Sequence, residues 1–464
     1  MANVTDEAAA QLQEATTGVV ARAGETGYDD AVRIWNGAIA RRPSIVVSCE
    51  NSADVVAALA FAQREDLEVS VRGGGHNFAG FSLCDDGLMI DLTPMNAVSV
   101  NADERRVTCG GGTTWRRLDA ATQEHGLAVT GGFISNTGVA GLTLGGGVGW
   151  LSRLMGLSSD NLVGAEVVTA DGRVLHVSET EHADLLWGLR GGGGNFGVVT
   201  EFEFALQPVG PIVHLGLFLF SPDQGRELFR FARDFVVDLP DESAAFLGGL
   251  NAPPAPFVPS EHHFSPVFAL IVVGLTDDVA HAKLIAPIRE ALTPLVEFVT
   301  PIPYVALQQM LDESAPWGMH SYEKALYLDY LTDDVIDTIL EHQAKKISPL
   351  SLVPIFVMGG AYRRFDGDTT SFGGRRDVGY VFNISGTSPT AEGYNAERQW
   401  VREYWSAMVQ HANGMGSYVN FMTEYDEDRV RSSYGPKYDR LQDIKEIYDP
   451  KNIFHLNINV PPKP

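Results

Sequence analysis

Apolar and polar positions alternate in short runs through the first two hundred residues, and the runs predict strands with short helices between them. Glu68-Val69-Ser70-Val71 alternates as a strand, 88–92 and 98–100 read the same way, and 199–204 alternates cleanly. Ser52 stands ahead of Ala-Asp-Val-Val-Ala-Ala-Leu-Ala as a helix N-cap, with Val55, Leu59 and Ala62 on one face. A second helix is expected over 114–125, stopped by Gly126. Strands at 162–169 and 173–177 flank Asp171-Gly172, a hairpin signal.

Gln207-Pro208-Val209-Gly210-Pro211 then breaks the pattern and marks a boundary. From 212 to 411 the spacing predicts helices over 277–292, kinked at Pro287, and over 397–412. Strands are expected at 267–273, 326–331, 352–357 and 380–385, and Pro354 argues that its strand lies at a sheet edge. The proline-rich stretch 251–259 reads as a loop. The last fifty residues carry Tyr418-Val419-Asn420-Phe421, read as a returning strand, and a helix over 437–448 that ends at Asp-Pro.

The chain has 464 residues, enough for two or three structural units at about 100–200 residues each. With 59 acidic and 34 basic side chains the formal charge is −25, a field that repels nucleic acid and acidic membrane surfaces. Cys49, Cys84 and Cys109 are widely spaced and form neither a disulfide framework nor a zinc pattern. The amino terminus lacks the basic-then-apolar order of a signal peptide, and no run of apolar residues reaches membrane-spanning length. A cytoplasmic location is expected.

Glycine carries the chemical signal. Runs at 73–75, 110–112, 145–147 and 191–194 suggest several loops converging on one large partner, because glycine serves where backbone must approach a ligand closely. Gly192-Gly193-Gly194-Asn195-Phe196-Gly197 matches GxGxxG formally, but a strand follows where a dinucleotide motif of the Rossmann type requires a helix. That reading is rejected. Val71-Arg72-Gly73-Gly74-Gly75-His76-Asn77 is a strand running into consecutive glycines whose N–H groups can form an anion nest closed by a histidine. The segment 138–150 offers a second nest.

These segments, with LRGGGGNFGVVTEFEF and the terminal YGPKYDRLQDIKEIYDP and FHLNINVPP, resemble the berberine-bridge-enzyme-like branch of the vanillyl-alcohol-oxidase flavoproteins, in its bacterial, 6-hydroxynicotine-oxidase-like form. The likeness is densest over 42–207 and 418–462. It implies an α+β fold in which an FAD-binding domain (1–207 and 412–464) is split around a substrate domain (208–411) with an antiparallel sheet backed by helices. By the same resemblance, Arg72, Gly73, Gly74, Gly75, His76 and Asn77 wrap the FAD pyrophosphate, with His76 bonded to the flavin 8α-methyl. Thr137, Gly138, Gly141, Leu142, Gly145, Gly146, Gly147 and Gly149 line pyrophosphate and ribose, and Gly197 and Val199 lie near the adenine. One of Asn457 and Asn459 contacts the flavin ring.

Many relatives carry a second link through a cysteine four residues before the glycine matching Gly138, a position held here by Ile134. One covalent link is therefore expected, which lowers the weight on a carbohydrate substrate. Thr137 falls where the family controls oxygen's approach, and its small side chain favours an oxidase over a strict dehydrogenase. The implied activity is oxidation of a small organic alcohol or amine by hydride transfer to flavin N5, with oxygen as acceptor and peroxide released. A dehydrogenase, a biosynthetic oxidative cyclase, a carbohydrate oxidase and a non-catalytic flavin-binding protein remain as alternatives.

Such a reaction needs a base, worth about 10²–10⁴-fold. Tyr418 and Asn420 are candidates in the returning strand. Tyr322 is another, sharing a strand face with Lys324 and with His320 if the strand starts early. A strand tyrosine is most often a core or rim residue with a satisfied hydroxyl, and His320 and Lys324 read as solvated or structural. His262-His263 lack a third ligand, so no metal is expected. Trp317, Trp400 and Trp405 read as packing, and Cys109 as core. Oligomeric state is not legible.

Overall fold

A computed structural model describes residues 4–412 and 416–463. The first two hundred residues build two sheets. Strands β1 (Val19–Ala21), β2 (Ile45–Ser48), β3 (Val69–Arg72) and β4 (Leu88–Asp91) form a sheet in the order β1-β2-β4-β3. Strands β2 and β3 flank β4 in parallel, which places the ends of β3 and β4 on one side. The helix Ser52–Arg64 makes the crossover from β2 and buries Val55, Leu59 and Ala62, the face its spacing predicts. Its cap is Asn51, whose Oδ1 accepts from Asp54 N at 3.1 Å. Ser52 instead donates its hydroxyl to Glu166 across to the next sheet.

Strands β5 (Val98–Asn101), β6 (Arg106–Gly110), β8 (Leu162–Val168), β9 (Val174–Ser178) and β10 (Val198–Ala205) form an antiparallel sheet in the order β5-β6-β10-β8-β9. Gly172, with φ at +81°, turns the β8–β9 hairpin. The short strands β7 (Leu127–Ala128) and β11 (Gln207–Pro208) pair at the boundary. Strand β10 follows directly on Gly197, so the GxGxxG stretch opens a strand, not a helix.

From residue 212 a seven-stranded antiparallel sheet takes over. Its strands are β12 (Ile212–Phe220), β13 (Ser243–Asn251), β14 (Pro266–Gly274), β15 (Val296–Pro303), β16 (His320–Leu328), β17 (Val353–Val357) and β18 (Tyr380–Ser388), in the order β15-β12-β14-β13-β17-β18-β16. One face packs on helices that include Gly225–Phe235, Asp278–Ala291, Asp333–Gln343 and Ala391–Val409, burying Phe218, Leu270, Ile336 and Trp400. The other face, with Leu217, Phe246, Tyr327 and Phe356, packs on Val148, Trp150 and Leu157 of the first part. Pro287 lies inside an uninterrupted helix.

Two expectations need correction. Pro354 does not mark an edge: β17 lies between β13 and β18. The sheet tolerates the missing N–H because the β17–β18 ladder runs only from Ile355 to Val357, with a separate bridge at Leu352–Ser385. The segment at 418–421 is a 3-10 turn, Val419–Phe421, with no strand partner. Strand β16 also begins at His320, earlier than the apolar run alone suggests.

The terminal helices Glu427–Tyr434 and Tyr438–Tyr448 return to the first part and bury Val430, Tyr434, Leu441 and Ile444 against Val107, Leu185, Phe202 and Phe204. One fully buried ion pair secures them. Lys445 Nζ donates to Asp449 at 2.7 Å and to the carbonyls of Asn195 at 2.8 Å and Phe454 at 2.9 Å. Removing the lysine strands a buried carboxylate. Lys445→Met should lower the unfolding free energy by about 3–5 kcal/mol in urea titration, whereas Lys345→Met, at an exposed pair with Glu341, should cost less than about 1 kcal/mol.

Candidate active site

Between the two glycine loops and the seven-stranded sheet lies an open cleft lined from both sides. The loop after β3 supplies Gly73, Gly74, Gly75, His76 and Asn77 to its lining. Arg72 points elsewhere: its guanidinium donates to the carbonyls of Ala31 and, at 3.3 Å, Asp30, and so bolts the loop's root from behind.

The segment after Thr137 lies against this loop backbone to backbone. A Cβ on Gly74 would stand 2.3 Å from Gly138 N, and one on Gly138 would stand 2.5 Å from Gly74 N. Thr137, Gly138, Gly141, Leu142 and Gly145 line the cleft, as do Gly197 and Val199. Gly146, Gly147 and Gly149 are not among the lining residues. A Cβ on Gly149 would meet Gly131 O at 1.5 Å, so that glycine serves packing. Asn457 lines the cleft, its amide donating to Gly194 O at 3.1 Å and Phe454 O at 3.0 Å; Asn459 does not line it.

Gly141 and Gly194 test whether a cofactor fits. Both line the cleft, neither has positive φ, and nothing stands within 4 Å of where a Cβ would be. Neither backbone geometry nor a protein neighbour demands glycine at either site, and Gly141 sits inside the helix Val139–Leu144, where glycine is unfavourable. A ligand in van der Waals contact with bare backbone accounts for both. The residues present fit a bound dinucleotide.

His76 is held between two indoles. Trp35 stacks on it with centroids 5.6 Å apart at 19°, and Trp317 meets it edge-on at 5.2 Å and 90°. Burial pushes its pKa down to about 4, against a weaker opposing pull from Asn136 and Asp312. The imidazole is therefore neutral at pH 7, the state a nucleophile needs. Ile134 lines the cleft nearby. Cys49, Cys84 and Cys109 are buried and are not among the lining residues.

The opposite wall is the face of β13, β17, β18 and β16. Period-two alternation sends Tyr322 and Leu326 to the helix layer and Glu323 to the cleft. Tyr322 is thus removed from the cleft. Its hydroxyl donates to Glu424 at 2.6 Å, the Arg398 and Arg402 guanidiniums lie over its ring, and burial with Glu424 raises its pKa to about 12. His320 and Lys324 share that face; Lys324 stacks over Trp405.

Glu323 accepts from Asn383 Nδ2 at 2.7 Å and Ser385 Oγ at 2.8 Å. Burial raises its carboxyl to about 7, although both donors favour the charged form. The sequence reading passed over all three residues. The signal was present in polar Asn383, Ser385 and Thr387 recurring at every second position of an otherwise apolar strand.

Tyr418 and Asn420 both line the cleft. The Tyr418 hydroxyl oxygen accepts from Gly147 N at 2.9 Å, Val148 N at 3.1 Å and Asn420 Nδ2 at 2.9 Å. A neutral phenol offers two lone pairs, so three donors suit the ionised oxygen better, although burial on balance raises the group's pKa. Phe133 stacks on Phe356 at 4.5 Å, and Phe246 and Phe421 complete an aromatic flank. Among the described residues no cluster of three or more metal-ligating side chains occurs, and no helix is long and apolar enough to cross a membrane.

A glycine-floored cleft, faced on one side by a sheet that presents a carboxyl and flanked by the phenol of Tyr418 from the 418–421 turn, belongs to a cofactor-dependent oxidoreductase, and comparison with known proteins specifies the cofactor. Residues 43–178 match the family described as FAD binding domain, and residues 417–461 match that described as berberine and berberine like. The FAD-linked oxidoreductase pgmH of Aspergillus terreus is 31% identical over 96% of this chain and 94% of its own. An FAD-linked oxidoreductase of Dictyostelium discoideum is 29% identical over 97% and 96%. The crystal structure of 6-hydroxy-D-nicotine oxidase from Arthrobacter nicotinovorans superposes with a TM-score of 0.86 at 27% identity, covering 97% of this chain and 98% of that one. The chain is an FAD-dependent oxidoreductase with the α+β fold of the vanillyl-alcohol-oxidase type. It belongs to the berberine-bridge-enzyme-like family of FAD-linked oxidoreductases.

Gly141→Val should separate cofactor binding from folding. Stability should shift by less than about 1 kcal/mol, since valine is no worse than glycine in a helix, while flavin absorbance per chain should fall severalfold. Retention of full colour would show that nothing approaches this glycine.

Proposed function

We propose that the chain is an oxidase of a small, largely apolar alcohol or amine, with FAD tethered through His76 alone and oxygen as acceptor. The observation that carries the reading is a single buried carboxyl, Glu323, facing an aromatic-flanked cleft floored by bare glycine backbone. Residues 1–207 and 412–464 would hold the cofactor, and 208–411 the substrate. FAD, when bound, supplies the two-electron acceptor and hands the electrons to oxygen.

The protein's share is orientation and proton handling. Phe133, Phe246, Phe356 and Phe421 give an apolar wall that excludes water and packs against a ring or alkyl body. Glu323, with one lone pair on each oxygen already used by Asn383 and Ser385, has acceptor capacity left for the O–H or N–H proton of a substrate. Tyr418, held by Asn420 and the 147–148 backbone and lining the same cleft, is the second group offered for that proton transfer. The neutral His76 ring and the absence of a cysteine at Ile134 support one tether. Small Thr137 on the lining supports access for oxygen.

Purified protein should be yellow, should keep its colour in the pellet after acid precipitation, and should release peroxide with members of an amine and alcohol panel. Colour lost to the supernatant removes the His76 tether. Turnover only with an artificial acceptor replaces oxidase by dehydrogenase, and peroxide from oligosaccharides alone would favour a carbohydrate oxidase.

Glu323→Gln should lower kcat by about 10²–10⁴-fold, the worth of a general base. Wild-type kcat/KM should fall as pH drops through about 7, because the ionised carboxylate is the active form, and the variant should lose that limb. Stability moves the other way. A carboxyl whose folded pKa is raised loses its contribution as pH climbs from the unfolded value, about 4.3, through 7. The glutamine variant should therefore melt higher than wild type at pH 8; a lower melting point there would contradict a strained, buried carboxyl.

A further inference from the structure

We infer that residues 312–321 form a belt from the sheet-bearing part that completes the socket of His76, and that Trp317 on this belt is a positioning residue for covalent attachment of the flavin. The inference rests on the histidyl tether proposed above and concerns when and by what that bond can form.

The loop after β3 delivers His76 but encloses only part of its ring. Trp35 covers one face, and the edge-on contact comes from Trp317, which lies far along the chain. The belt is laced to the first part on both sides of the imidazole. Asp312 accepts from Ser135 N, Ser135 Oγ and Arg116, each at 2.7 Å. Trp35 Nε1 donates to Ala315 O at 2.8 Å, and Trp35 O accepts from Gly318 N at 2.9 Å. Gly37 N donates to Met319 O at 2.9 Å, and Asn36 exchanges hydrogen bonds with the backbone of Ser321 at 2.9 and 3.0 Å. A Cβ on Gly37 would stand 2.1 Å from Gly318 O, so the two backbones are in direct contact. Trp317 itself has no hydrogen bond in this lacing. It is carried by the belt and pressed against one ring.

Attachment breaks one imidazole N–H and one C–H of the 8α-methyl and forms one N–C bond. The two hydrogens and two electrons released end on dioxygen as hydrogen peroxide. Such a bond forms only from a held geometry, and a displacement of about 1 Å can cost on the order of 10²-fold in rate. Stacking on Trp35 leaves the imidazole free to slide across that indole about its Cβ; the perpendicular Trp317 ring limits the motion. The bond therefore forms after the belt has docked, so the tether reports on assembly of the two parts.

The test uses the full chain produced with FAD present, and reads the flavin that remains with acid-precipitated protein together with the mass of the His76 peptide. In Trp317→Ala the covalent fraction should fall at least tenfold while total flavin per chain stays within twofold of wild type, and Trp317→Phe should restore most of it. Asp312→Asn loosens the belt, and losing its weak pull on the His76 pKa only keeps the imidazole neutral; it should give an intermediate fraction and guards against misfolding of the alanine variant. Equal covalent fractions in all four proteins would overturn the belt's role and leave the tether standing. Covalent and total flavin falling together would also overturn it, as simple collapse of the site. Release of flavin by wild type would overturn the tether itself, and this inference with it.

Discussion

Gly74 and Gly138 meet through bare backbone, and the rest of the site is hung on that contact. A Cβ on either would stand within 2.5 Å of the other's backbone nitrogen, a separation that real side chains do not reach. The close approach brings the loop after β3 and the segment after Thr137 into one surface, so that His76, Thr137 and Gly141 line a single floor although they come from different elements. Glycine has a conformational cost in the unfolded chain. Here it accompanies a cleft floor of bare backbone, reinforced from behind by Arg72 and from the side by Tyr418.

The facing wall divides its duties by strand alternation. On β16 the residues turned to the helices are packed or paired, as Tyr322 is with Glu424, Arg398 and Arg402. Those turned to the cleft include Glu323, buried with two neutral donors and no counter-ion. A sheet optimised for stability would not bury a carboxylate so. The same region interrupts the β17–β18 ladder at Pro354, beside the polar patch, with the register unchanged on either side. Local rules of sheet construction are relaxed in the part of the wall that faces the cleft.

Two long-range connections keep floor and wall in register. The terminal helices return to the first part and are locked by the buried Lys445–Asp449 pair, whose lysine also holds Asn195 in the 191–197 glycine loop. The belt at 312–321 ties the seven-stranded sheet to the rim around His76. These ties act alongside the apolar seam where Leu217, Phe246 and Phe356 of the sheet pack on Val148 and Trp150 of the first part.

Much of this was legible in the sequence, and the division follows a physical line. Glycine runs, the Asp171-Gly172 turn, the strand ending at Arg72 and the apolar faces of the helices are local requirements of backbone conformation and burial, so consecutive residues declare them. The loop carrying His76 belongs to that set. The direction of the Arg72 side chain did not, because a guanidinium beside a glycine nest suits an anion as well as the carbonyls it meets. Nor did the turn at 418–421, which alternates like a strand but finds no partner. A strand of period two has two faces that the sequence cannot tell apart when both carry polar residues. Tyr322 and Glu323 are neighbours, and only the packing of the helix Ala391–Val409 against one side of β16 decided that the phenol would be shut away and the carboxyl turned to the cleft.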